Sequence, residues 1–120
     1  MAGTLQVYSY NRCSTCRKAL AWLSERGIPH EVHDITLTPP SRELLEAAKQ
    51  ALGDRKLLFN TSGQSYRAMG AAAVKAMSDA EALDALAADG KLIKRPFVAL
   101  DDTTFLVGFK SDQWESVVQS

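Results

Sequence analysis

Cysteine is almost absent from this chain: of 120 residues only two are cysteine, and both fall in one Cys13-x-x-Cys16. A pair so close in sequence cannot brace distant segments, which excludes a disulfide-built scaffold and leaves the thiols for chemistry. Net charge is absent too. Lys plus Arg and Asp plus Glu each number 14, so no overall field draws the chain onto nucleic acid or an anionic membrane, and neither is an expected partner. No apolar run approaches the roughly 18 residues that span a bilayer. The opening Met-Ala-Gly-Thr-Leu-Gln lacks the basic and apolar regions of a secretory leader. A cytoplasmic address is the resulting expectation. Repeats and low-complexity linkers are missing as well, and the length suits one hydrophobic core. Residues 1–120 are therefore expected to form a single domain, working as a monomer.

What is present is an ordinary globular composition, 46% hydrophobic and 23% charged. Leu5 to Tyr10 alternates apolar and polar residues and ends at Asn11-Arg12, the pattern of a strand and its loop. Behind it, Cys16, Ala19, Leu20 and Leu23 recur at helical spacing from Ser14 to Arg26, with Gly27 and Pro29 as the stop. His30 to Ile35 reads as a second strand, which makes the opening third a right-handed βαβ unit. Ser41 is a good N-cap for a helix with Leu44, Leu45, Ala48 and Leu52 on one face and Gly53 at its end. Short helices are expected between Asp54 and Met77, around a turn at Asn60-Thr61-Ser62-Gly63. Ser78-x-x-Glu81 has the capping-box pattern, and its helix is expected to end at Gly90. Phe97–Leu100 and Thr104–Val107 read as a hairpin, followed by a helix capped by Ser111 and carrying Trp114, Val117 and Val118. The predicted fold class is α/β: a four-stranded mixed sheet with β-α-β and β-β-α halves and a helical insert between them, the thioredoxin plan.

A Cys-x-x-Cys at the end of a strand in a βαβ pattern is the sequence form of a thioredoxin-like redox site. Cys13 falls at the helix N-terminus, where unpaired N–H groups and the positive end of the helix dipole favour a thiolate over a thiol. Arg12 and Arg17 are expected to add positive charge beside it. Cys16 turns toward the buried face. The natural division of labour is Cys13 as attacking sulfur and Cys16 as resolving sulfur in thiol–disulfide exchange.

The run Asn11-Arg12-Cys13-Ser14-Thr15-Cys16-Arg17-Lys18-Ala19-Leu20 resembles the start of the arsenate reductase and Spx (ArsC/Spx) family. Leu58 to Arg67, Lys94-Arg95-Pro96-Phe97-Val98 and Val107-Gly108-Phe109 resemble its later signatures, so the likeness runs along nearly the whole chain. The resemblance implies a cis Pro96 facing the active cysteine, with Arg95 pointing at the same site. On sequence alone Pro96 reads only as a tolerated strand opening. In reductase members a cysteine matching Cys13 attacks arsenate, and three arginines bind the oxyanion. Arg95 matches one of them, while Asn60 and Gly108 stand at or near the other two positions. Cys16, in contrast, is shared with Spx-like regulators and typically absent from glutaredoxin-dependent arsenate reductases. Those regulators bind the C-terminal domain of the RNA polymerase α subunit, and Gly53 is a candidate contact. No bound cofactor is expected. The implied external reductant is glutathione with glutaredoxin, or thioredoxin.

Plainer readings stand beside these. Cys13-x-x-Cys16 with His30-x-x-His33 has a zinc-finger-like gap, but the histidine spacing is one residue short, and residues three apart on a strand point to opposite faces. No metal is expected. Lys91, Lys94 and, without the resemblance, Arg95 read as solvated charges. Trp22 and Trp114 read as packing residues, and the alanines between Ala71 and Ala76 as a mark of close helix packing. A thiol oxidoreductase, a redox-sensing regulator and an inactive relative that acts by binding alone are the three functions left open.

Overall fold

A computed structural model describes residues 4–118; Met1 to Gly3, read above for a leader, lie outside them. Strand β1 (Leu5–Ser9) buries Leu5, Val7 and Ser9 on one face, as its alternating sequence requires. Helix α1 (Ser14–Glu25) returns the chain to β2 (His30–Asp34), which pairs parallel to β1 with Val7 opposite Val32 and Tyr8 opposite His33. Ile35, expected inside the strand, lies one residue past it, and its N–H still donates to the Ser9 carbonyl at 2.9 Å. Strands β3 (Phe97–Ala99) and β4 (Phe105–Val107) form the antiparallel hairpin, and β3 lies against β1. The sheet order is β2-β1-β3-β4. A parallel βαβ unit beside an antiparallel β-β-α unit gives the α/β thioredoxin-like fold expected from the sequence.

The insert contributes α2 (Arg42–Leu52), α3 (Gln64–Met69), α4 (Ala71–Ala76) and α5 (Asp79–Ala88), with short 3-10 turns at Arg55–Leu58 and Gly90–Leu92. Its caps were legible. The Leu44 N–H donates to Ser41 Oγ at 3.1 Å, and Gly53 ends α2 in the left-handed region at φ 86°. Ser78 and Glu81 form the full capping box, with N–H donors at 3.1 and 2.9 Å.

Three further expectations change. Helix α5 ends at Ala88 with Asp89 as its C-cap, and Gly90 opens the following 3-10 turn. A side chain at Gly90 would meet the Ile35 carbonyl oxygen at 1.8 Å, so glycine is required there by close approach. The last helix, α6 (Ser111–Val118), already includes Ser111, and the Trp114 N–H donates to the Lys110 carbonyl, which places Lys110 at the cap position. The alanines of α4 are exposed; Val74 alone is buried there, so they do not mark close packing.

Core residues divide between the two sheet faces. Ala19, Trp22 and Leu23 of α1 meet Val7, Val98, Leu106 and Trp114 on one side. Leu45, Ala48, Leu83 and Leu86 of the insert meet Phe97, Ala99 and Phe105 on the other. Successive residues of β3 thus serve opposite cores.

Candidate active site

Cys13 ends the loop after β1, and its backbone is extended (φ −102°, ψ 113°), the geometry of an N-cap residue. Its Sγ accepts the Cys16 N–H at 3.2 Å, and its carbonyl accepts the Arg17 N–H at 3.1 Å. The sulfur thus takes the capping role usual for a Ser or Asp oxygen, at the positive end of α1. Cys13 is partly exposed, and Cys16 is fully buried one turn below it. Both thiols are free.

Burial pushes the Cys16 thiol up to about 11, and its hydrogen bond with Cys13 adds to the rise. Hydrogen bonds from the Tyr10 backbone and the Ser9 side chain act the other way. Ser9 is the buried polar residue of the described chain, 5% exposed, and sits behind the pair. Sequence reading missed it because an inward-facing serine in an alternating strand carries no signal of its own.

Cys13 opens into a cleft of about 460 Å³ lined by Thr15, Asn60, Ser62, Lys94, Arg95 and Lys110, among others. The Arg95–Pro96 peptide bond is cis, and Pro96 is buried at the start of the hairpin. The Arg95 guanidinium lies 5.0 Å from the centre of the Tyr10 ring, a cation–π contact that holds it at the cleft. Of the residues singled out in the sequence, the fold brings Cys13, Arg95 and Asn60 to one cleft, with Cys16 and Pro96 beneath it. Arg12 is exposed, and the Arg17 guanidinium donates to the Asn11 carbonyl at 3.1 Å; neither lines the cleft.

Two lysines read as solvated or left unread take their place. Lys94 and Lys110 both reach the cleft. Gly108 makes room for the first: a side chain there would lie 3.1 Å from Lys94 Cε, and its φ of 72° also favours glycine. Trp114 fixes the second, because its indole N–H donates to the Gly108 carbonyl at 3.2 Å and sets the turn into α6. Among the described residues, no carboxylate lines the cleft. Chemically, a partly exposed sulfur at a helix N-terminus, three cations and a buried second thiol can bind an anionic group and exchange electrons with it.

The histidines are engaged elsewhere. His30 Nδ1 is 2.7 Å from the Ile28 carbonyl, and His33 Nε2 is 2.6 Å from Gln6 Oε1 with its ring stacked on Tyr8. Trp22 and Trp114 pack edge to face at 5.8 Å, with Phe109 completing the cluster.

Known proteins resemble this chain in sequence and fold. The chain is 46% identical over 115 residues to the YusI protein of Bacillus subtilis (strain 168), covering 93% of this chain and 96% of that one. It is 28% identical over 102 residues to the global transcriptional regulator Spx of Streptococcus agalactiae serotype V, covering 84% and 73%. The crystal structure of an ArsC family related protein from Bacteroides fragilis superposes with a TM-score of 0.87 at 36% identity, covering 97% of this chain and 98% of that one. With the ArsC family model matching residues 8–117, and with relatives that include Spx regulators, the chain belongs to the ArsC family.

Proposed function

We propose that the protein is a cytoplasmic thiol–disulfide oxidoreductase in which Cys13 attacks and Cys16 resolves. The observation that carries this reading is the Cys13 sulfur capping α1 at the mouth of a cationic cleft, with the buried Cys16 donating its N–H to that sulfur at 3.2 Å. The Cys13 thiolate attacks one sulfur of a substrate disulfide, forming a mixed disulfide and expelling the first thiolate. Cys16 then loses its proton to that thiolate or to water and attacks Cys13 Sγ, releasing the second thiolate. Two electrons have passed to the substrate, and the protein is left with a Cys13–Cys16 disulfide. An external thiol system, two glutathiones with glutaredoxin or one thioredoxin dithiol, takes up the disulfide and returns the protein to the reduced state. Arg95 positions the anionic end of the intermediate, helped by Asn60. Arg12 and Arg17 would add only a distant positive field, screened by solvent.

Turnover is measured with a model disulfide and with arsenate, each reductant system being supplied in turn. Cys13→Ser abolishes disulfide turnover; Cys16→Ser traps the mixed disulfide, seen by mass spectrometry. Equal residual activity in the two variants would overturn the assignment. Arsenate is the poorer candidate substrate, because Asn60 and Gly108 stand where two of three oxyanion-binding arginines are expected.

The likeness to Spx supports a second reading: a redox-sensing regulator that binds the C-terminal domain of the RNA polymerase α subunit. Gly53, exposed at the end of α2 with open space around it, is a candidate contact. A pull-down with that domain tests it, and absence of binding by both reduced and oxidised protein removes this mechanism.

A further inference from the structure

We propose that the substrate of this site is an acidic peptide disulfide, whose reacting sulfur meets Cys13 while a flanking carboxylate lies in a second lobe beside Lys91. The proposal rests on the thiol–disulfide reading above and adds the substrate's chemical class. A second cavity of about 270 Å³, lined by Tyr10, Gln64, Ser65 and Lys91, shares Asn60, Gly63 and Arg95 with the Cys13 cleft. Arg95 stands at the junction, held over Tyr10.

Size argues against a small ligand. A tetrahedral oxyanion fills roughly four water volumes, ~120 Å³ at about 30 Å³ each. It would leave most of the 460 Å³ main cleft empty and the second lobe unused. Charge argues for an acidic occupant. Lys91, Lys94, Arg95 and Lys110 line the two lobes without any Asp or Glu, and none of the four is in an ion pair among the described residues. Such a cluster in a chain of zero net charge is a local excess, not a reflection of composition. Uncharged polar groups of the second lobe, among them the amides of Asn60 and Gln64 and the Ser65 hydroxyl, match the donors and acceptors of a peptide backbone. The reaction is the exchange already written, so one turnover of the reduced protein yields two peptide thiols and needs no added reductant.

The test is single-turnover reduction of peptide disulfides that differ only in whether the cysteine is flanked by Glu, Gln or Lys. Acid-quenched samples are counted by mass spectrometry, and each rate is divided by that of the same peptide with dithiothreitol to remove differences in the leaving thiol. The Glu peptide is expected to exceed the Gln peptide by about three- to tenfold, as for one or two partly screened ion pairs. That margin should shrink with added salt. Lys91→Met is expected to reduce the margin, whereas Lys75→Met, at a residue that lines neither lobe, leaves it intact. Offering the Glu-flanked disulfide both as a short peptide and within a long unstructured one distinguishes a free small peptide from an exposed protein segment. Equal Glu and Gln rates, or a margin unmoved by Lys91→Met, would overturn the proposal while leaving thiol exchange standing. No reduction of any peptide would remove both.

Discussion

The two faces of the sheet are built differently. On the α1/α6 face, Trp22, Phe109 and Trp114 form a mutual edge-to-face cluster among the aliphatic side chains. On the insert face many aliphatic residues share it, and the outer helices are tied by polar contacts: Lys49 and Arg55 to Asp79, and Arg42 to Asp84. The aromatic face carries one wall of the cleft, since α1 presents Cys13 and the Gly108–Lys110 turn is anchored by Trp114. The insert face supplies the cleft's other wall through Asn60, Ser62 and Gly63. An aromatic cluster thus anchors one wall of the cleft, and a polar turn of the insert forms the other.

Breaking the aromatic face should cost most. Trp114→Ala removes a fully buried ring and the bond to the Gly108 carbonyl. A loss of about 3–5 kcal/mol is expected, measured from the urea midpoint. The same variant should loosen the cleft wall at Lys110. A loss under ~1 kcal/mol would mean that the two faces do not differ in this way.

Next comes the pH dependence of the buried thiol. Cys16 rises from an ordinary 9.0 to about 11 in the fold. Between those values the unfolded chain gives up its proton and the folded chain keeps it, so stability is full below about pH 9 and falls as pH rises toward 11. The two-unit gap corresponds to about 2–3 kcal/mol. Urea unfolding of the reduced protein, compared with Cys16→Ser across this range, isolates the effect. Identical pH profiles for the two proteins would show that Cys16 titrates as an ordinary thiol.

The smallest effect belongs to the insert. Ser78→Ala deletes the Oγ that accepts the Glu81 N–H and is expected to cost ~1 kcal/mol. Glu81, held below the usual carboxylate range chiefly by the Ser78 N–H, also loses its partner when protonated, so the cap weakens as pH falls through its lowered value. Native-state hydrogen exchange should show the loss confined to α5. A change spread equally to α1 would join the two faces into one cooperative unit.

Reading the chain in order found most of the fold, because caps and periodicity are local. Ser41, Gly53 and the Ser78/Glu81 box mark helix ends wherever they occur. Gly90 was misread for the opposite reason. A glycine after a helix looks like a stop, but this one is required by the Ile35 carbonyl, fifty-odd residues earlier in the chain. The alanines of α4 misled in the same way, since composition suggested packing where the helix faces solvent.

At the site, the sequence alone determined where the thiols stand and the family: two thiols at helical spacing after a strand, the first at a helix N-terminus, and a family likeness carried by local motifs. Only the tertiary structure decided which charges surround the sulfur. Arg12 and Arg17, its neighbours in sequence, lie outside the cleft, while Lys94, Arg95 and Lys110 line it from the far end of the chain. The reason is physical. Backbone hydrogen bonding and side-chain periodicity act over a few residues and can be read along a chain. The field at a sulfur depends on distance through space, which is set by the pairing of β3 with β1 and by the turn that Trp114 anchors.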